Sequence, residues 1–253
     1  PIHEDEFPFR LRITDAYASR DGRPLLQGLS LDLRAGEILG LAGVEGNGQQ
    51  ALGDLLSSLI ELDSGTVEMD DVVLPTGKPG AMHRAGIGVI PEDRHQSGCV
   101  LDMSVAENLV MSTVGSVARR GFVSRKAIRA NAERLIEQFE ISTPSPDTPM
   151  RQLSGGNQQK VVLARELSLN PKVLVAAYPT RGLDVGAIEY MTERLHDAAN
   201  SGIAVLLIST ELEEILTLSH HIAVIHRGAI VGQMRRVDVD AERLGLMMGG
   251  QEA

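Results

Sequence analysis

Apolar and polar residues alternate along Leu11–Ile13 and again from Leu25 to Leu33, the period-2 pattern of strands with one buried face. Arg20-Asp21-Gly22-Arg23 between them predicts a turn. Glu37–Ala42 (EILGLA) reads as a buried strand. It runs into a glycine-rich loop, Gly43 to Gln50 (GVEGNGQQ), and then into an apolar helix predicted over Ala51–Ile60. Short strands are predicted at Thr66–Met69 and Val72–Leu74. From about residue 92 the pattern changes. Ser104 followed by Glu107 predicts a capping box opening a helix through Val110. Ile128, Ala132, Leu135, Ile136 and Phe139 keep helical spacing across Ser124–Glu140, and Pro144, Pro146 and Pro149 then stop any helix. No stretch between 92 and 165 reads as a strand.

The strand-and-helix alternation resumes at Lys172–Ala177, a continuous apolar run suited to a central parallel strand. A helix over Val185–Ala199, a strand over Ile203–Ile208 and a helix over Glu211–Leu218 follow. Ile222–His226 and Ala229–Gln233 predict a hairpin around Arg227-Gly228, and Asp240–Met248 predicts a short amphipathic helix. No internal repeat is visible. The pattern gives an α/β fold: a core of residues 10–91 and 166–253 with a parallel sheet and an N-terminal antiparallel β subdomain, and an inserted α-helical subdomain over 92–165. Residues 1–9 read as a polar tail or linker.

The chain has 253 residues, 43% of them hydrophobic, enough for a sizeable core. Aromatic residues make up only 3% and Trp is absent, so that core must be built from Leu, Ile, Val, Ala and Met. Met247 and Met248 fit packing. The net charge of −10 argues against a general nucleic-acid binder, whose affinity comes from Lys and Arg on phosphates. Cys99 is the single cysteine and can form no internal disulfide, which fits a reducing, cytoplasmic compartment. The longest apolar run, Ile203–Ile208, is far short of the ~20 residues that span a bilayer. Pro1–Arg10 lacks the basic and apolar regions of a signal peptide, and a start at Pro rather than Met suggests a fragment or a processed chain.

Two segments carry chemistry. A phosphate-binding loop reads G-x-x-x-x-G-K-[ST]: backbone amides wrap the phosphates, Lys adds charge and Ser or Thr holds Mg²⁺. Gly43, Gly46 and Gly48 keep the glycine spacing, with Glu45 and Asn47 between them, but Gln49 and Gln50 stand at the Lys and Ser/Thr positions. A cradle of amides can survive; the charge and the metal hydroxyl are gone. About 110 residues on comes Leu153–Lys160 (LSGGNQQK). Ser154 can cap a helix there, and Gly155 and Gly156 leave its first amides open to an anion. His220, His221 and His226 lack a spacing that would build a metal site.

The order and spacing of these segments resemble the ATP-binding cassette family, over about Phe9 to Gln233, with Leu153–Lys160 as its signature motif. The resemblance implies a P-loop NTPase-type core. It also exposes substitutions. The family's Asp-Glu before Pro-Thr is replaced by Ala177 and Tyr178 ahead of Pro179 and Thr180. Thr210 stands at the switch His, and Glu92 stands at the Gln that couples the two lobes. Asp184 of Arg181-Gly182-Leu183-Asp184 matches the family's D-loop. No aromatic lies near Arg20 to stack on adenine, and Tyr17 is three residues early. Lys, Ser/Thr, Asp, Glu and His each support one part of phosphoryl transfer, so their joint loss implies that this loop does not turn over ATP.

In the family two cassettes pack head to tail, each ATP lying between one glycine-rich loop and the other's signature. The resemblance therefore implies that Ser154, Gly155, Gly156 and Gln158 complete ATP and Mg²⁺ bound by a second cassette, with weak or no binding at Gly43–Gln50. The strings GEILGLAGVEGNGQ, PEDRH, VAENL and PTRGLDVGA are similar to the second cassette of tandem sugar and nucleoside importer ATPases. The further implied partners are membrane permease subunits, met near Glu92–His95 and Val105–Asn108, and an extracytoplasmic substrate-binding protein. The implied location is the cytoplasmic face of the cell membrane, with residues 1–9 as an inter-cassette linker. Two alternatives remain open at this level: a competent ATPase driving sugar import, and a structural or regulatory dimerisation scaffold.

Overall fold

The computed structural model describes residues 8–112, 118–119 and 122–249. The expected tail or linker falls, through residue 7, outside the described residues, and Phe9 already opens the first strand. The chain divides into two compact units, Pro1–Val89 with Lys172–Tyr178 and Arg194–Ala253, and Ile90–Pro171 with Pro179–Glu193.

The first unit holds an antiparallel sheet of β1 (Phe9–Arg20), β2 (Arg23–Arg34), β4 (Ser64–Met69) and β5 (Val72–Val73), in the order β2-β1-β4-β5. Alternation does what it should: Leu11, Ile13, Leu29, Leu31 and Val67 are buried while Arg12, Thr14 and Ser30 face out. The turns at Asp21-Gly22 and Asp70-Asp71 place two successive residues at positive φ, the geometry whose twist suits a tight hairpin.

A six-stranded sheet in the same unit runs β12-β11-β3-β10-β9-β6, from β12 (Ala229–Arg235), β11 (His221–His226), β3 (Ile38–Ala42), β10 (Ala204–Ile208), β9 (Val173–Ala177) and β6 (Ile87–Ile90). β11, β3, β10 and β9 pair in parallel, and β3, β9 and β10 are buried at every residue, as strands covered on both faces must be. Because these strands are parallel, the loops after β3, β9 and β10 leave from one edge. That edge is where ligands bind in open α/β sheets. The loops hold Gly43–Gly48, Tyr178 and Thr210.

Helix α1 is Gln49–Leu56, four residues shorter at its end than the pattern predicted. Ser58 turns to φ 62 and the chain leaves the helix there. A one-turn helix α2 (Ala81–Arg84) and β6 were not predicted; both are too short for a periodic signal.

The second unit is built on α3 (Val105–Val110), α4 (Arg125–Gln138), α5 (Gly155–Leu167) and the start of α6 (Val185–Asn200). The capping box forms as predicted: Ser104 Oγ accepts from the Glu107 amide and Glu107 Oε2 accepts from the Ser104 amide. The expectation that no strand lies between 92 and 165 does not hold. Ala118–Arg119 and Phe122–Val123 form β7 and β8, a two-residue antiparallel pair below the length any alternation pattern can mark. The sequence also gave no sign of the π-helical turn Arg94–Gly98, capped by Asp93. The last helices, α7 (Leu212–Leu218) and α8 (Ala241–Met248), fall within a residue of their predicted spans. Among the described residues no helix is long and apolar enough to cross a membrane.

Candidate functional site

The glycine-rich loop is pinned from inside and outside. Asn47 makes most of the outer links: its Oδ1 accepts from the Arg227 amide at 2.8 Å, its carbonyl accepts from the Gly228 amide at 2.7 Å, and its Nδ2 donates to the Val44 carbonyl at 2.8 Å. Arg227 and Gly228, both at positive φ, form the tight turn between β11 and β12. Gln27 on β2 holds that turn in place by donating to the Arg227 and Gly228 carbonyls. Close approach explains the glycines. A β-carbon on Gly43 would stand 2.6 Å from the Ile225 carbonyl oxygen, and Gly48, at φ 113, has the Gly228 Cα 3.1 Å from that position.

Gln49 fills the inside. It stands at the lysine position of the phosphate-binding pattern, yet its side chain folds back and is only 3% exposed. Oε1 accepts from the Asn47 amide at 2.9 Å and Nε2 donates to the Val44 carbonyl at 3.0 Å. The carboxamide thus takes an amide that, in an anion cradle, would point at a phosphate. Glu45, Gly46 and Gln50 are exposed on the loop.

The other positions on this sheet edge carry no carboxylate. Ala177 ends β9. Tyr178 follows at φ 48, donates its amide to the Ile208 carbonyl at 2.8 Å, and is buried in the apolar core with Leu52, Leu55 and Ile208. Where the resemblance expects a water-polarising Glu, the backbone turns a phenol inward instead. After β10, Ser209 is buried and its Oγ accepts from the Glu211 amide at 3.0 Å; Thr210 is half-buried. Tyr17 is half exposed on β1 and lies across Gly28, its hydroxyl 2.8 Å from where a β-carbon would sit.

The remaining sequence-derived positions fall in the second unit. Ser154 caps α5 as predicted: its Oγ accepts from the Asn157 amide at 3.3 Å and from Asn157 Nδ2 at 3.0 Å. Gly156 allows close packing, since a β-carbon there would stand 2.8 Å from the Ala187 Cβ on α6. Gln158 is buried. Its Nε2 donates to the Met150 and Leu153 carbonyls, and its Oε1 meets His95 Nε2 at 3.0 Å. Asp184 caps α6, accepting from the Ala187 amide at 2.9 Å. Glu92 pairs with Arg181 at 2.7 Å.

Three residues that lie in segments the sequence marked, but to which it gave no individual role, complete this cluster. Gln159, 2% exposed, donates to the Pro179 carbonyl at 2.8 Å. Lys160 donates to the Glu140 carbonyl and stacks on the Tyr190 ring at 4.1 Å. Arg94 lies against Gly155 and the Arg181 carbonyl. Their partners are 20 to 87 residues away in sequence, so no local pattern marks them.

Two histidines of the C-terminal half do structural work. His220 Nδ1 accepts from the Ile38 amide at 3.0 Å, and burial lowers its pKa below 6.5 despite the nearby Glu37. His221 Nδ1 pairs with the buried Glu37. Among the described residues no group of three or more His, Cys, Asp and Glu could hold a metal ion.

A glycine-rich loop after a central parallel strand, and a capped SGG helix in a second, helical unit, define a nucleotide-binding cassette. The chain belongs to the ABC transporter family, whose profile matches residues 26–181. Its fold is the ABC ATPase fold. A nucleotide-free ATP-binding cassette from an ABC transporter superposes with a TM-score of 0.77 over 90% of this chain and 91% of that one, at 22% identity.

Among curated proteins it is 43% identical over 227 residues to the nucleoside import ATP-binding protein NupA of Lactococcus lactis subsp. cremoris, covering 89% of this chain and 45% of that protein. The guanosine import ATP-binding protein NupO of Bacillus subtilis is 41% identical over 240 residues, covering 93% and 47%. The ribose import ATP-binding protein RbsA of Bacillus licheniformis is 37% identical over 243 residues, covering 96% and 49%. The chain thus spans about half the length of the curated relatives it matches.

Proposed function

We propose that this chain is a nucleotide-binding domain of an importer for nucleosides or ribose-type sugars. In this reading its own glycine-rich loop does not hydrolyse ATP, and its signature helix completes the ATP site of a second cassette. The substrate class is supported by the names of the relatives. The loss of catalysis is supported above all by Gln49, whose carboxamide occupies the interior of the loop and takes the Asn47 amide.

The residues present do not fit a resident Mg²⁺ at that loop. Gln50 offers a carboxamide instead of a hydroxyl, and Ala177 and Tyr178 offer no carboxylate. Thr210 has no titratable base to give. The residues of the signature helix do fit the terminal phosphates of ATP held elsewhere. The Ser154 cap takes the Asn157 amide, the Gly155 and Gly156 amides before it have no acceptor within the helix, and a helix N-terminus favours an anion.

In this reading residues 10–91 and 166–253 form the core and 92–165 form the helical subdomain that carries the signature. Residues 1–9 are a linker to a partner cassette. Permease subunits meet the chain near Glu92–His95 and Val105–Asn108 at the cytoplasmic face of the membrane, and a substrate-binding protein delivers the cargo outside.

The test is the Mg²⁺-dependent ATPase rate of the isolated chain. The reading expects none above background, and none gained on adding a permease. Robust turnover that disappears on replacing Gln49 or Glu92 would show a competent site and sink the proposal.

A further inference from the structure

Arg94 opens the π-helical turn Arg94–Gly98 in the second unit. Its guanidinium is held in an unusual place. Nη1 reaches the Arg181 carbonyl at 3.4 Å, a long contact. Nη2 lies directly over Gly155: a β-carbon on that glycine would stand 2.8 Å from Nη2 and 3.5 Å from Cζ. Nε is buried with no hydrogen-bond partner among the described residues. The neighbouring carboxylates are engaged elsewhere. Glu92 pairs with Arg181 at 2.7 Å, and Asp93 Oδ1 accepts from the His95 and Gln96 amides. No carboxylate among the described residues pairs with Arg94.

Gly155 is the first residue of α5. A helix start carries roughly half a positive charge and several amides that no carbonyl of the helix can reach. Ser154 Oγ takes the Asn157 amide; the amides of Gly155 and Gly156 precede it in the first turn. A guanidinium pressed onto that end with its own charge unneutralised is repelled by it. An anion between the two would turn this repulsion into two attractions. A guanidinium fork also matches the oxygens of a phosphate better than any other side chain does.

We propose that Arg94 is a phosphate-binding residue acting on a second cassette: with the amides of Gly155 and Gly156 it forms one anion seat, and it donates to the terminal phosphate of the ATP that the partner presents. Gly155 then has two duties, an open amide and the room its missing side chain gives the guanidinium. The proposal rests on the reading that the signature helix completes a partner's site.

The experiment uses the whole transporter, with nucleotide binding measured directly for a non-hydrolysable ATP analogue and for ADP. Three variants are compared: Arg94→Gln, Arg94→Lys and Ser154→Arg. Losing a hydrogen-bonded charge on the terminal phosphate is expected to weaken analogue binding by Arg94→Gln about tenfold or more, with ADP affinity unchanged within about twofold. Arg94→Lys is expected to recover part of the loss, because it restores the charge without the fork. Ser154→Arg, which blocks the helix end, is expected to abolish analogue binding at the composite site.

If Ser154→Arg abolishes that binding while Arg94→Gln binds the analogue like the wild type, the Arg94 assignment is wrong and the composite-site reading survives. If neither variant matters, the composite-site reading fails with it. A parallel fall in ADP and analogue affinity for Arg94→Gln marks a merely structural role and overturns the proposal, as does a fall that Arg94→Lys does not relieve.

Discussion

Gln49 offers the sharpest test of whether this loop is closed to nucleotide. Replacing it with Ala removes a buried carboxamide that makes two hydrogen bonds, at 2.9 Å to the Asn47 amide and 3.0 Å to the Val44 carbonyl. Each such bond contributes about 0.5–1.5 kcal/mol net, so the variant should lose about 1–3 kcal/mol of stability. The lower end is expected, because the Val44 carbonyl keeps a second donor in Asn47 Nδ2 at 2.8 Å. For a domain of this size each kcal/mol lowers Tm by about 2–4 °C.

The same change frees the Asn47 amide for an outside anion, and a hydrogen bond to a charged oxygen is stronger, about 1.5–3 kcal/mol. Nucleotide affinity should therefore rise about tenfold or more while stability falls. Gln49→Lys should raise it further by adding a cation at the place the phosphate-loop pattern puts one. Calorimetric titration of the isolated chain with ATP measures affinity, and a thermal melt measures stability. If the wild-type chain binds ATP as tightly as both variants, Gln49 does not close the loop and the reasoning is refuted.

Other outcomes follow from particular contacts. Gly156→Ala should cost about 1–3 kcal/mol by overpacking against the Ala187 Cβ, and adding Ala187→Gly should restore most of it; denaturant midpoints of the two chains check this. His220 is held neutral by burial, with Glu37 opposing and His196 and His221 adding to the shift. A base whose folded pKa is depressed stabilises the fold fully above its ordinary value of 6.5, and that contribution is lost as pH falls from there through the folded pKa, at up to about 1.4 kcal/mol per pH unit. Denaturant midpoints at pH 7.5 and pH 5 should show the fall, and His220→Gln should flatten it. Cys99 is 6% exposed and burial pushes its thiol above 9.0, so a thiol reagent at neutral pH should label the native chain far more slowly than the unfolded one.

The sequence by itself determined the longer local elements. Period-2 alternation marked β1 and β2, unbroken apolar runs marked β3, β9 and β10, and Ser-x-x-Glu marked the start of α3, because each of these signals arises from neighbours within one or two turns of chain. It also placed the glycine-rich loop and the Ser154 cap, whose demands on residue type are local. Only the tertiary structure decided what the replaced residues do. Gln49 could have pointed out to solvent; the turn at Arg227-Gly228, 180 residues on from Asn47, fixes the loop into which it folds. Tyr178 was legible as a missing Glu but not as a core residue, since its direction follows from a positive φ and a bond to Ile208. Arg94 was one charge in a polar run until Gly155 and Arg181, 61 and 87 residues on, closed around it. Local propensity chooses a helix or a strand; the position of an unpaired charge or a buried amide depends on distant chain segments, which a linear pattern does not bring together.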